Sequence, residues 1–495
     1  MTIALALSAQ AATFSKASLK GSYSFLANRW TANVNTSQVA RVGIWTFDGA
    51  GNWTSSFTQI ADGVVTTATL TGTYTVKSNG TGTISASDGS ERAIVLNSTA
   101  AGVAQEVQFL VTNDSANEIE SGTAVLQSTT VQNYTAASLK GNFSSQLNLW
   151  MADASATEVG AIGMIDFDGK GKWKAPLTTV FGGGKVQTYT SSGTYTVAPD
   201  GTVSRSSTND SQSVCVLNSV VAGQAQGAQC LTTVSNGHSL GNYAITETEL
   251  SAQATTFSKA SLNGSYSFLT NLWTADTSTD QIAVVGVLNF NGAGKVTGSY
   301  TSISLNVFKT GTLAGTYTVS SNGTGKITFT TGSTAKFAIT LNNPTAAGVA
   351  QGLQLLQTND PNNEVVSGTA VLQSTAAETY GVASAKGNFA LQWNLWTADA
   401  SQSQASLIGV GSFDGKGTCK DSTTMVLDGK IQTGTHTDTY TVNPDGSGTI
   451  TTPDGTQIAF VLNSVAAGQA KGAQFIVNMS ENIGNSVVTG ITLKQ

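Results

Sequence analysis

Four tryptophans stand where recognition chemistry could be done. Asn28-Arg29-Trp30, Asn148-Leu149-Trp150, Asn271-Leu272-Trp273 and Asn394-Leu395-Trp396 repeat one pattern, and three of them run on to an acid, Asp153, Asp276 or Asp399. An exposed indole offers a flat stacking face to a sugar ring or an apolar ligand. Strand alternation places the motif at the end of its unit that bears the longer loops, where a ligand mouth would open. The competing reading is that each indole plugs that end as part of a packed interior.

Nothing else in the chain assembles into catalysis. An enzyme needs a nucleophile, a base or a metal in a fixed constellation. His238 and His436 are the only histidines and occupy non-equivalent positions, which leaves no Ser-His-Asp or Cys-His arrangement and no zinc set. The Gly-x-Gly clusters lie in hairpins and not before helices, so no phosphate loop is present. No catalysis and no cofactor are expected. Asp48, Asp168 and Asp414 sit in recurring Phe-Asp-Gly turns, with Asn291 in the remaining copy, and shape those turns. Asn113, Asp114, Asn117 and Glu118 form an oxygen-rich loop that returns as Asn359, Asp360, Asn363 and Glu364. Oxygen ligands suit Ca²⁺, but the spacing fits no calcium loop, and no metal is expected.

Three cysteines make no disulfide framework for a chain of 495 residues. Cys215 and Cys230 align with Ile94 and Phe109 of the first copy, opposite each other on one hairpin. Oxidised, they form a bridge; reduced, they are small buried hydrophobes. Cys419 aligns with Trp53 and Trp173 and is expected to pack, not to react.

Composition narrows the partners. Charged residues are 11% of the chain and the formal net charge is −6, which excludes electrostatic nucleic-acid binding. No apolar run approaches the roughly 18 residues of a membrane span. A hydrophobic content of 40% with low net charge builds a core and argues against disorder. A surface of Thr, Ser, Asn and Gly in place of Lys and Glu is associated with secreted bacterial surface proteins, so an extracellular or cell-surface location is expected.

Internal repetition decides the organisation. Ser18-Leu19-Lys20-Gly21-Ser22-Tyr23 returns at Ser138 to Phe143, Ser261 to Tyr266 and Ser384 to Phe389. The Gly-to-Gly spacings are 120, 123 and 123 residues. The chain divides into modules 12–132, 133–253, 254–377 and 378–495, each long enough to fold alone. Ser8-Ala9-Gln10-Ala11 matches Ser251-Ala252-Gln253-Ala254, which marks a duplicated two-module unit. Residues 1–11 are either a signal remnant or the last strand of a missing upstream module. A spare strand there would permit end-to-end pairing between chains.

Within one module, period-2 alternation between Gly-rich turns predicts about eight antiparallel strands. Phe47-Asp48-Gly49 and Asn79-Gly80 supply tight hairpin turns, and both recur in every copy as Asp-Gly or Asn-Gly. The fold class is all-β: four tandem up-and-down β-barrels, with a two-sheet sandwich as the rival. The eight-strand meander, the length, and the Gly-x-aromatic opening at Gly21-Ser22-Tyr23 make each copy resemble the calycin group, lipocalins and avidins. That resemblance implies a closed barrel and a ligand cup. The chain also resembles tandem-repeat secreted bacterial β proteins, which implies a compartment.

Ile94, Leu96, Val107 and Phe109 face inward in the first copy and supply volume for a solid interior. Their outward neighbours are apolar too: Val95, Val216, Thr340 and Val461 on the sixth strand, and Leu110, Leu231, Leu356 and Ile476 on the seventh. Either β-propensity explains these residues, or the barrels pack on each other or on other chains through this face. The expected function is a non-catalytic structural or assembly role (fibre, matrix or adhesive) with other copies of itself or surface components as partners. The alternative is a calycin-like protein holding a small apolar or carbohydrate ligand at the Trp-bearing end of each barrel.

Overall fold

The computed structural model of the protein describes residues 13–495 apart from 31–38, 62–63, 114–118, 131, 152–158, 182–184, 209–210, 234–242, 252–255, 274–280, 361–364, 377, 398–403, 428 and 480–485. The first eleven residues, and with them the choice between signal remnant and spare strand, lie outside the described residues.

The chain folds as four closed antiparallel barrels of eight strands each, in sequential order. The first barrel runs Lys20–Trp30, Val39–Asp48, Asn52–Ala61, Val64–Val76, Thr81–Ala86, Glu91–Ala100, Val103–Val111 and Ile119–Ser128. The others begin at Lys140–Met151, Asn263–Trp273 and Gly387–Thr397 and close on Tyr243–Ser251, Val365–Ser374 and Ser486–Lys494. Strands extend several residues beyond the alternation visible in sequence; the first runs from Lys20 to Trp30. Closure of the wall explains this: backbone pairing continues where the side chains no longer alternate.

Gly21 shows why the opening motif needs glycine. Its φ is +104°, and a Cβ there would stand 2.3 Å from the Ser128 carbonyl oxygen of the closing strand. A short 3₁₀ turn ahead of each first strand, Lys16–Ser18 in the first barrel, covers one end. The Tyr74 hydroxyl lies 3.0 Å from the carbonyl oxygens of both Lys16 and Leu19 and donates to them. Tyr195, Tyr317 and Tyr440 make the matching bonds in the other copies. At the Phe-Asp-Gly turns, Asp48, Asp168, Asn291 and Asp414 accept backbone N–H groups two and four residues on. These bonds, that from Ala50 first, hold the Asp48 carboxyl down to about 2.

The barrels join head to tail. The first and second strands of one barrel pack on the sixth and seventh strands of the next, and the fourth barrel returns to the first. Ala40, Val42 and Ile44 of the first barrel meet Val216 and Leu231 of the second. Ile162 and Val180 of the second meet Ala338, Leu356 and Val365 of the third. Val285 and Val287 of the third meet Val461 and Ile476 of the fourth. Ala390, Ile408 and Val410 of the fourth meet Val95 and Leu110 of the first. A heterologous contact that comes back to its starting unit makes a ring and not a filament.

Polar side chains fix the register of these seams. Ser24 donates to Gln229 Oε1 at 2.9 Å, and Gln229 donates to Thr123 Oγ1 at 3.2 Å. Ser267, Gln474 and Thr369 repeat this between the third and fourth barrels. The other two seams use a glutamine on the first strand: Gln146 reaches the Leu355 and Gly368 carbonyls, and Gln392 those of Phe109 and Gly122; between the second and third barrels the seventh-strand Gln354 also reaches the Thr248 carbonyl. The alternation follows the two-module duplication legible in the sequence. A second glutamine, at the end of the eighth strand, docks on the next barrel's hairpin. Gln127 donates to Asp200 O, Gln373 to Asp445 O and Leu462 O, and Gln495 to Asn79 O and Leu96 O.

Candidate functional site: the lumen of the fourth barrel

Strand register aligns the four interiors position by position, and among the described residues three of them are packed with large buried side chains. In the first barrel Trp45 and Trp53 meet at 5.9 Å between ring centroids, with Phe25, Phe47, Tyr74 and Phe109 around them. The Arg92 guanidinium lies 5.8 Å from the Trp53 ring. In the second, Trp173 carries Arg205 at 5.2 Å, and Arg205 pairs with buried Glu249. The Cys215–Cys230 disulfide spans the paired sixth and seventh strands beside them. With each sulfur bonded to the other, the cluster Cys215, Cys230 and Glu249 offers no thiolate to a metal. The third interior is packed with Tyr266, Phe268, Phe290, Tyr317, Phe329 and Leu355.

The fourth differs from the first at several inward positions, three of them around the middle of the lumen, while Trp393 enters where Ala27 stands. Gly411 pairs with Phe389 as Trp45 pairs with Tyr23. Cys419 pairs with Phe413 as Trp53 pairs with Phe47. Asp438, the partner of Cys419, stands where Gly72, Gly193 and Gly315 stand in the other barrels. The two indoles of the first barrel are gone, at positions that hold Ile165 and Trp173 in the second barrel and Leu288 and Val296 in the third, and a carboxyl has entered. The result is a cavity of about 90 Å³ walled by Phe389, Leu391, Trp393, Phe413, Phe460 and Phe475, with Cys419, Asp421, Thr423 and Asp438 on its polar side.

Asp438 is 4% exposed, and its Oδ1 has no hydrogen-bond partner among the described residues. Burial first, and Asp421 second, push its carboxyl up to about 6. Asp421 sits nearer the surface and accepts from both the backbone N–H of His436 at 2.8 Å and its Nδ1 at 3.0 Å. The imidazole of His436 is exposed. Burial, then the neighbouring Asp438, raises the Cys419 thiol. A thiol held protonated is a poor nucleophile.

The residues singled out in the sequence fall elsewhere. Asp153, Asp276 and Asp399 lie outside the described residues, and so do the side chains of Trp30, Trp150, Trp273 and Trp396, whose backbones are the last or next-to-last residues of first strands. His238, and Asp114, Asn117, Glu118, Asn363 and Glu364 of the acidic loops, lie outside them as well. Asn113 and Asn359 cap their loops, each accepting a backbone N–H from the start of the sixth strand at 2.7 Å. Leu110, Leu231, Leu356 and Ile476 are buried in the four seams. The expectation of four solid interiors fails for the fourth barrel, because Gly411 and Cys419 return too little volume.

His436, read as an isolated histidine, belongs with Asp421 and Asp438. The missed signal was available in the repeat alignment: an acid replacing a glycine opposite a cysteine replacing a tryptophan.

No protein-family model and no curated protein matches the chain. Among solved structures it is similar to kievitone hydratase from Nectria haematococca, at 10% identity over 48% of this chain and 91% of that one, with a TM-score of 0.19. It is similar to a protein of unknown function from the DUF3598 family of Nostoc punctiforme, at 12% identity over 48% and 98%, TM-score 0.18. A third is transferrin binding protein B of Neisseria meningitidis, at 11% identity over 78% and 84%, TM-score 0.20. Likenesses at this level carry no argument about activity. No helix among the described residues is long and apolar enough to cross a membrane.

Proposed function

We propose that the protein is a non-catalytic scaffold of the cell surface or extracellular space, a ring of barrels that presents equivalent surfaces four times. The observation that carries this reading is the seam between the fourth and first barrels. There Leu110 and Val95 are covered by Ala390, Ile408 and Val410 of the same chain. In a fibre subunit such a strip would await another copy. Here the assembly surface is turned inward, and multivalency is what repetition leaves. Exposed apolar residues recur near the tip of the third–fourth hairpin of each barrel, at Val65, Val186, Val307 and Ile431. These tips are the natural contact points for surface components.

Scattering and mass measurements on the full chain test the reading. A compact monomer across a wide concentration range is expected, and Leu110→Asp should open the ring and produce extended or oligomeric species. A wild-type chain that grows into open filaments would overturn it. A second reading, a calycin-like binding protein, is favoured by one observation, the unfilled fourth lumen.

A further inference from the structure

The fourth lumen combines three features that the other interiors lack together. It has unfilled space, about 90 Å³, where Gly411 and Cys419 stand in place of the first barrel's indoles and the third barrel's Leu288 and Val296. It has a buried carboxyl, Asp438, with an oxygen that no donor reaches among the described residues. It has no lysine or arginine in its wall. Among the described residues, two buried acids in the lumens of the first two barrels are answered by an arginine of the same chain: Arg41 pairs with Glu120, and Arg205 with Glu249. Buried charges without a partner are costly. In the fourth barrel the chain supplies the acid and omits the cation.

We infer that the fourth barrel binds one small protonated amine, its ammonium group on Asp438 and its short apolar body among Phe389, Trp393, Phe413 and Phe460. The ammonium donates to Asp438 Oδ1, and the surrounding rings present aromatic faces to the charge. A cavity of 150 Å³ accommodates benzene, so this one takes a body of roughly four heavy atoms. The His436–Asp421 pair lies on the same side as Asp438, from exposed imidazole to half-buried carboxylate to buried carboxyl, and forms the polar approach. Asp454 is the other acid acting on Asp438.

Calorimetric or NMR titration of the full chain with n-propylamine at pH 7.5, alongside 1-propanol and propionate, tests this. Propylamine is expected to bind at least about tenfold more tightly than propanol, the size of one charge-assisted hydrogen bond, and propionate not at all. Asp438→Asn should abolish the preference for the amine while leaving the fold intact. Cys419→Phe, which refills the space, should abolish binding of amine and alcohol alike; Gly411→Val serves if that variant fails to fold. At pH 5 the amine should bind more weakly, as Asp438 takes up a proton. Equal binding of propanol and propylamine, or an unchanged amine affinity in Asp438→Asn, overturns the inference and leaves a merely apolar hole.

Discussion

In the first barrel Trp45 and Trp53 fill the middle of the lumen and Arg92 lies against Trp53. In the fourth, with the same register, those places hold Gly411 and Cys419, and Asp438 points into the space between the walls. Both barrels close, because closure is made by backbone pairing around eight strands, and that pairing is indifferent to what stands inside. Register therefore fixes which residues face inward, and side-chain volume fixes separately whether the interior is a core or a cup. Duplication gives such a fold room to diverge. While three barrels and four seams keep the ring together, a fourth interior can lose volume and gain a charge.

The comparison breaks most sharply if the fourth barrel's substitutions are moved into the first. Trp45→Gly should destabilise the first barrel by about 3–5 kcal/mol, the usual cost of deleting a buried aromatic side chain. Urea unfolding with hydrogen exchange read at first-barrel amides checks it. The counterpart Gly411→Ala should cost little. The three atoms nearest its Cβ belong to the side chains of Phe413, Leu391 and Cys419, at 3.2–3.5 Å, and these have a cavity to move into. A loss under about 1 kcal/mol in Trp45→Gly would mean that the first interior is not packed as described.

The next effect is electrostatic. Asp438 has an ordinary value of 3.8 in the unfolded chain and about 6 in the fold. The folded state therefore holds the extra proton between those values. Stability from this group is fully present below about 4 and is lost as pH rises through 6. Between pH 4 and pH 7 the fourth barrel of the wild type should lose roughly 2 kcal/mol relative to Asp438→Asn, which has no carboxyl to titrate. Burial also raises Glu106 in the first barrel, to about 7, with the same sign, so the difference between wild type and variant is the quantity to read. Parallel pH profiles for the two proteins would remove Asp438 from the interior.

How much of this was legible follows from what each feature depends on. The barrels were legible because alternation and the Asp-Gly and Asn-Gly turns are local, and each is written four times. Val95 and Leu110 were visible as apolar residues on the outward face, but not what covers them. A seam joins strands far apart in sequence, and its polar pins, Ser24, Gln229 and Thr123, are ordinary residues until two barrels meet. The ring was out of reach for the same reason, since closure depends on the summed angles of four interfaces. The fourth lumen was half legible. Cys419 aligns visibly with two tryptophans, yet the vacated volume counts only once Trp393, in the place of Ala27, is seen to leave part of it open, and Asp438 gains meaning only from that space.

The smallest effect concerns the seam that joins the two compared barrels. Between the first and second barrels Gln229 is satisfied by Ser24 and Thr123. At the equivalent place between the fourth and first, Gln108 is fully buried, and neither its Oε1 nor its Nε2 has a partner among the described residues. The positions matching Ser24 and Thr123 hold Ala390 and Ile491. The groove along this seam is also the roomier, about 580 Å³ against about 380 Å³ between the first and second barrels. An unmade buried hydrogen bond costs more than an absent pair of groups. Gln108→Leu should therefore be neutral or stabilise the closing seam by up to about 1 kcal/mol, whereas Gln229→Leu should cost about 1–2 kcal/mol by stranding Ser24 and Thr123. Ala390→Ser supplies the missing donor and should stabilise only while Gln108 is present, a coupling that a double-mutant cycle isolates. Hydrogen exchange at Leu110 and Val410 reports opening of this seam directly. Equal losses from Gln108→Leu and Gln229→Leu would show that Gln108 is as well satisfied in the closing seam as Gln229 is in the first, and that the fourth barrel's divergence stops at its lumen.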